Sequence, residues 1–336
     1  MRHSNIAVFI PHLGCPHRCS FCDQNSISGA GHAPSPAEVD VLLREAVPRL
    51  KELSQSEIAF FGGSFTAVEP EYRRRLLEIA SGYVKKYGLY GVRISTRPDA
   101  IDEAILKELR EYSVRVIELG AQSLCDRVLK LNRRGHTAAD IRRASALIRE
   151  KGFQLGLQMM TGLYGSTEED DRKTAAGFIS LKADMVRIYP TVTLKGTYLE
   201  ELYRAGRYKP QSLEQAVLEC TGLYRMFLNA GIPVIRLGLH ASPELEKQAA
   251  CGPYHPAFRE LCESRIMLEN ARELLKGFPA GAVTLVVSGK SLSKMAGQRR
   301  ENLKCLQKDG YTVRLVPDPS LKKYQIKLLE GETVCF

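Results

Sequence analysis

Six short apolar runs, many of them β-branched, recur through the first two-thirds of the chain. They are Ile6–Ile10, Ile58–Phe61, Val92–Thr96, Val114–Leu119, Leu155–Met160 and Met185–Tyr189, and each is followed by a polar turn and a helical pattern. This rhythm constrains the fold more than any other feature. Near-continuous apolar runs belong to parallel strands covered on both faces. Parallel strands need long crossovers, usually helical, and right-handed crossovers put the loops after every strand at one mouth of the sheet. The expected architecture is α/β: a partial (β/α)6 barrel with a small C-terminal α+β appendage.

Helix start signals agree with that reading. Ser35-Pro36-Ala37-Glu38 reads as a capping box with proline at the first helical position, followed by an apolar stripe of Val39, Leu42, Leu43 and Ala46. Ser166 with Glu169 and Thr137 with Asp140 read as two further boxes. From Gly196 the rhythm changes. Helices are expected over Leu213–Asn229 and Pro256–Leu275, with an additional strand over Val234–Leu239. The final segment reads strand Val283–Val287, helix Leu292–Lys308, then strands Thr312–Val316 and Tyr324–Leu329. The expected division is a barrel over 1–195, a helical extension over 196–277 and a C-terminal domain over 278–336.

Charge and cysteine content narrow the function classes. The chain has 48 Lys and Arg against 38 Asp and Glu, a formal net charge of +10. That sign suits a polyanionic partner such as RNA, although an ordinary basic protein has it too. No uncharged apolar run is long enough to span a bilayer. The Met1–Pro11 segment is too short and polar for a signal peptide, so a cytoplasmic location is expected. Nine cysteines, at 15, 19, 22, 125, 220, 251, 262, 305 and 335, make an odd set. That argues against a disulfide framework and for metal or catalytic use of some of them.

Three of them sit together directly after the first strand, in Gly14-Cys15-Pro16-His17-Arg18-Cys19-Ser20-Phe21-Cys22-Asp23. Thiolates spaced C-x3-C-x2-C on one loop suit three irons of a [4Fe–4S] cubane and leave the fourth iron open to a chelating molecule. Structural zinc is the competing reading, with His17 or His32 as a further ligand, but zinc sites usually pair their ligands differently. Incidental cysteines are the remaining alternative. A second cluster from Cys220, Cys251 and Cys262 has no tight spacing behind it. After the second strand, Phe61-Gly62-Gly63-Ser64-Phe65 offers adjacent glycines for close backbone approach to a ligand, or simply a turn.

The cysteine motif at the end of the first barrel strand resembles the hallmark of the radical SAM superfamily, over roughly residues 5–270. More narrowly, the chain resembles the radical SAM core of the Elongator catalytic-subunit family, which modifies wobble uridines in tRNA. The matching stretches are Ser95-Thr96-Arg97-Pro98-Asp99, Glu118-Leu119-Gly120-Ala121-Gln122-Ser123, Asn132-Arg133-Arg134-Gly135-His136-Thr137, Ile188-Tyr189-Pro190-Thr191, Lys195-Gly196-Thr197 and Gly206-Arg207-Tyr208-Lys209-Pro210. Two departures stand out. No acetyltransferase domain follows in this sequence, so acetyl transfer from coenzyme A is not expected of it. The end of the fifth strand, Met159-Met160-Thr161-Gly162-Leu163, is closer to the anaerobic coproporphyrinogen oxidase pattern.

The resemblance implies that Cys15, Cys19 and Cys22 hold a [4Fe–4S] cluster, on which S-adenosylmethionine (SAM) is reductively cleaved to a 5′-deoxyadenosyl radical. It also implies that Gly62, Gly63 and Ser64 contact the SAM amine, and that Glu118 and Gln122 take the ribose hydroxyls. Arg134 would meet the SAM carboxylate and Tyr189 would flank the adenine. For each polar residue the competing reading is a solvated strand end or a structural ion pair. Arg97 and Asp99 are expected to pair across Pro98. Among the loops Gly238–Pro243 and Cys251–Pro256, Cys251 is expected to quench a substrate radical, against the plainer reading of an inert thiol. Lys290, Lys294, Arg299, Arg300 and Lys304 would form a phosphate-docking face, or a solvated helix. The expected partners are tRNA and a reductant such as flavodoxin or ferredoxin, with no membrane. The competing functions are a radical SAM enzyme acting on a metabolite such as a tetrapyrrole, and a non-catalytic cluster scaffold or redox sensor.

Overall fold

A computed structural model describes residues 4–16, 18–24 and 32–329. His17 and Cys335 lie outside the described residues. Along the chain run β1 (Ser4–Phe9), α1 (Pro36–Ala46), β2 (Ser56–Phe61), α2 (Pro70–Tyr87), β3 (Gly91–Thr96), α3 (Glu103–Glu111) and β4 (Val114–Gln122). Next come α4 (Asp126–Leu131), α5 (Ala138–Glu150), β5 (Gln154–Thr161), α6 (Glu168–Ser180), β6 (Met185–Pro190), β7 (Thr193–Leu194), α7 (Tyr198–Arg204) and α8 (Leu213–Asn229). The chain continues through β8 (Val234–Leu237), α9 (Pro243–Gln248), β9 (Ala249–Cys251) and α10 (Phe258–Leu275). It closes with β10 (Gly281–Val287), α11 (Leu292–Ala296), α12 (Glu301–Lys308), β11 (Tyr311–Pro317) and β12 (Ile326–Leu328).

The main sheet has seven strands in the order β1-β2-β3-β4-β5-β6-β8, all parallel. All six expected strands are present. The seventh, β8, extends the sheet beside β6, with Val186 opposite Val234 and Ile188 opposite Leu237. The additional strand expected over Val234–Leu239 is thus present, and it forms the last strand of the half-barrel. The edge strands β1 and β8 do not pair with each other, yet both line one central cavity, through Asn5, Ala7 and Phe9 and through Arg236. The sheet is thus curled and open.

The helices pack outside, and their caps follow local chemistry. Ser35–Glu38 and Thr137–Asp140 form the boxes that begin α1 and α5. At α6 the box is one residue later than expected, on Thr167 and Asp170, because the Ser166 hydroxyl is drawn to Asp171 Oδ1 at 2.7 Å. One apolar core runs from Ile6 to Ile266, and a second gathers residues from Met267 onward around β10, so α10 contributes to both. In the C-terminal unit, β10 lies between parallel β11 and antiparallel β12. The single helix expected over Leu292–Lys308 is broken. Gly297, Arg299 and Arg300 take positive φ, and Asn302 turns inward to donate to Ser264 O at 2.9 Å and Lys294 O at 3.1 Å.

Candidate functional site

The cavity inside the half-barrel has a volume of about 560 Å³. Its walls carry Cys15, Cys19, Cys22, Gly62, Gly63, Gln122, Arg134 and Tyr189, brought together from five separate loops and strands. The strand order does this. Parallel strands place all their C-terminal ends at one rim, so residues more than a hundred positions apart meet there.

The cysteine loop is locked onto the glycine loop after β2. Ser64 N–H donates to Leu13 O at 2.8 Å, and Gln24 Oε1 accepts the backbone N–H of both His12 and Gly63. Gly63 has φ 45°, and a Cβ there would overlap the Leu13 carbonyl oxygen. Only glycine fits that approach. Gln24 itself lines the cavity. Sequence reasoning passed over it, since nothing marks a lone glutamine beyond the motif.

The three thiols are electrostatic neighbours. Burial, and then the adjacent Cys19, push the Cys22 thiol up to about 12, and the same two causes raise Cys15. Thiols so disposed ionise against a cation, and coordination to iron supplies one. Among the described residues no group of three His, Cys, Asp or Glu side chains is arranged around a single ion. A cubane does not ask for that arrangement, because each thiolate binds a different iron. Buried polar atoms nearby point the same way. Gln122 is 8% exposed with φ 67°, and its Oε1 has no partner, nor has Arg134 Nε. Such atoms at a cavity wall are ready for a polar ligand. The residues present fit a cluster with a bound polar cofactor.

Three expected residues lie elsewhere. Ser64 is fully buried, and its hydroxyl is committed to Thr96 Oγ1 at 2.9 Å and the Arg97 N–H at 3.2 Å, so it shapes the loop rather than facing a ligand. Cys251 sits on β9 opposite Thr193 and does not line the cavity, so its thiol is not presented there to a substrate radical. Glu118 is 1% exposed and lies beneath the cavity rather than on its wall. Its Oε1 accepts from Arg93 Nη1 and Arg187 Nη2, both at 2.7 Å, and its Oε2 accepts from Gln158 Nε2 at 2.8 Å. Burial would raise its pKa, but the Arg187 and Arg93 guanidiniums outweigh that and hold the carboxyl below its usual range. Gly156 on the neighbouring strand makes room, since a Cβ there would stand 2.7 Å from Glu118 Cγ. A ribose contact through Glu118 is therefore replaced by a structural network.

That network builds the cavity floor. Glu57 pairs with Arg93 Nε at 2.6 Å, and Arg187 lies over the Phe61 ring at 4.8 Å. Arg187 and Gln158 face the cavity. The signal for them was present in the sequence, as charged or amide residues interrupting apolar strands at Glu57, Arg93, Glu118, Gln158 and Arg187. Arg97 and Asp99 do pair, through Nε–Oδ1 at 2.9 Å and Nη2–Oδ2 at 2.6 Å. Leu239, His240 and Ser242 of the loop after β8 complete the rim. In the C-terminal unit Lys294 is bound to Glu263 at 2.8 Å, so the expected basic face is smaller than the sequence suggested.

Comparison with known proteins agrees with this geometry. The profile of the radical SAM superfamily matches residues 9–176, and that of the radical SAM C-terminal domain matches residues 183–267. The tRNA uridine(34) acetyltransferase of Methanocaldococcus infernus is 28% identical over 252 residues, which is 63% of this chain and 47% of that protein. Human Elongator complex protein 3 is 27% identical over 289 residues, 70% of this chain and 53% of that protein. The solved structure of the archaeal M. infernus Elp3 with an N-terminal deletion superposes with a TM-score of 0.62 at 21% identity, covering 79% of this chain and 63% of that one, and shows the shared fold. The chain spans about half the length of the curated relatives it matches. No helix among the described residues is long and apolar enough to cross a membrane.

Proposed function

The chain belongs to the radical SAM superfamily, and on that premise we propose that it is a tRNA-modifying enzyme acting on a wobble-type uridine. The observation that carries the reading is the likeness, across most of the half-barrel, to proteins named for tRNA uridine(34) and for Elongator. The net charge of +10 supports a polyanionic substrate.

Cys15, Cys19 and Cys22 would hold the [4Fe–4S] cluster, with flavodoxin or ferredoxin as reductant. When bound, cluster and SAM together supply the reductive cleavage that yields a 5′-deoxyadenosyl radical. The chain's own residues bind, orient and shield. The Gly62–Gly63 turn would seat the SAM amine against backbone. Gln122, with its unpartnered Oε1, would take a cofactor hydroxyl, and Tyr189 would flank the adenine. The Gln158–Arg187 floor would present an amide and a guanidinium to the substrate, and burial of the site would exclude water from a reactive radical. A protein acting on tRNA in this way would work in the cytoplasm.

The test is an anaerobic incubation of reconstituted protein with SAM and dithionite, with unmodified tRNA or a metabolite extract in separate arms. The expected result is 5′-deoxyadenosine that rises with tRNA and carries deuterium from a labelled uridine. Label transfer from the metabolite arm alone would replace the RNA reading with a small-molecule one. Absence of 5′-deoxyadenosine in every arm would overturn the enzymatic reading.

A further inference from the structure

We propose that Arg134 is a positioning residue of the iron–sulfur centre. Its guanidinium donates a hydrogen bond to the sulfur of Cys19 and thereby raises the reduction potential of the cluster. This rests on the reading that Cys15, Cys19 and Cys22 hold that cluster. It gives Arg134 a role different from the SAM-carboxylate contact that the family resemblance suggested.

The geometry begins with the guanidinium. Nη1 lies 2.9 Å from Cys19 Sγ, and Nη2 donates to the Gly120 carbonyl. Two anchors fix a planar fork that a single lysine ammonium cannot reproduce. Arg134 is 7% exposed, and among the described residues it has no carboxylate partner. Two other guanidiniums at the cavity are neutralised: Arg97 by Asp99, and Arg187 by Glu118. An unpaired buried cation costs several kcal/mol. One aimed at three thiols is offset by an anionic occupant, which a cubane with three thiolate ligands is.

The backbone is built to hold it there. Asn132 is fully buried, and its Nδ2 donates to Val128 O at 2.8 Å and Tyr164 O at 2.9 Å. Its own Oδ1 accepts from Ser20 Oγ at 2.7 Å, and its carbonyl accepts from Ser20 N–H at 3.1 Å. The cysteine loop and the arginine loop are therefore one unit. Arg133 takes φ 53°, a left-handed conformation that costs about 1 kcal/mol or more in a non-glycine residue and persists only where surroundings enforce it. Its side chain stacks on Tyr198 at 3.4 Å. The strained turn sends two adjacent arginines different ways, Arg133 to Tyr198 and Arg134 to Cys19.

Adding an electron makes the cluster one unit more negative. A positive donor on a ligand sulfur stabilises the reduced form more than the oxidised form, so the potential rises. Low exposure keeps that effect unscreened.

The experiment uses the full chain, anaerobically reconstituted and free of SAM, and reads the cluster midpoint potential by spectroelectrochemical titration. Iron content and cluster absorbance are checked first. The midpoint is expected to move negative in Arg134→Lys and further negative in Arg134→Leu. An unchanged midpoint in an Arg134→Leu protein of native iron content overturns the proposal. Should that variant fail to hold iron, Arg134→Lys decides alone: a negative shift supports the proposal and an unchanged midpoint overturns it. A SAM titration on the same variants separates the roles. Weakened SAM binding with an unmoved SAM-free midpoint assigns the guanidinium to the SAM carboxylate and overturns the proposal. None of these measurements involves RNA, so failure of the tRNA reading would leave this test standing.

Discussion

The Arg187 guanidinium stands with its Nε 2.6 Å from Glu118 Oε2, and it is the guanidinium, not the carboxylate, that faces the cavity. Glu118 satisfies Arg93 and Arg187 at once, and Glu57 completes a neutral set of two carboxylates and two guanidiniums under the floor. Replacing one member of such a set leaves buried charge uncompensated. Glu118→Gln is expected to lower the unfolding free energy by about 3 kcal/mol, read from urea titrations. A loss below about 0.5 kcal/mol would show that the network does not hold the floor.

Gly63 is the point where the glycine loop touches the cysteine loop. Gly63→Ala would place a methyl group against the Leu13 carbonyl oxygen and strain a positive φ. The two loops must then separate, and iron bound per chain after reconstitution is expected to fall at least severalfold. Ser64→Ala keeps the backbone and loses only the bonds to Thr96 and Arg97. It is expected to retain most of its iron.

Cys251 lies off the cavity wall, whereas Cys19 lies on it. Cys251→Ala is expected to keep iron content and 5′-deoxyadenosine yield at the native level. Cys19→Ala is expected to lose both. Equal loss in the two variants would show that Cys251 belongs to the reacting centre after all.

A buried carboxyl pair away from the cavity sets a pH dependence. Burial, and then Glu219, raise the Asp171 carboxyl to about 8, while its Oδ atoms accept from Ser166 Oγ and Gly162 N–H. The folded chain therefore keeps a proton that the unfolded chain releases near pH 4. The sign follows: the folded state binds more protons, so stability falls as pH rises from about 4 to about 8 and then levels. In Asp171→Asn that slope is expected to flatten, and the urea midpoint at pH 8 is expected to approach the midpoint at pH 6. A native chain with equal midpoints at pH 6 and pH 8 would contradict the raised carboxyl.

If tRNA is the substrate, its binding draws on phosphate contacts by lysine and arginine. Affinity is then expected to drop at least tenfold between 50 and 200 mM salt, measured by filter binding, on the order seen when several counterions are released. Salt-independent binding would point to a substrate without a phosphate backbone.

What the sequence alone determined was local or periodic. Alternating apolar runs and capped amphipathic stretches specify parallel strands and crossovers, because hydrophobic period and cap chemistry act within a few residues. Three thiols on one loop likewise declare themselves by spacing, and so did the pairing of Arg97 with Asp99 two residues on. The tertiary structure decided which side chains meet. Glu118 and Gln122 look alike as polar residues at one strand end, yet one is sealed under the floor and the other stands on the wall. The difference is made by Arg93 and Arg187, delivered by strand register from 25 and 69 residues away. Arg134 reaches Cys19 across 115 residues because the loops that carry them meet at one rim of the sheet. Charges far apart in the chain find their partners through the fold, and such long-range pairing at a few ångströms leaves no trace in sequence spacing.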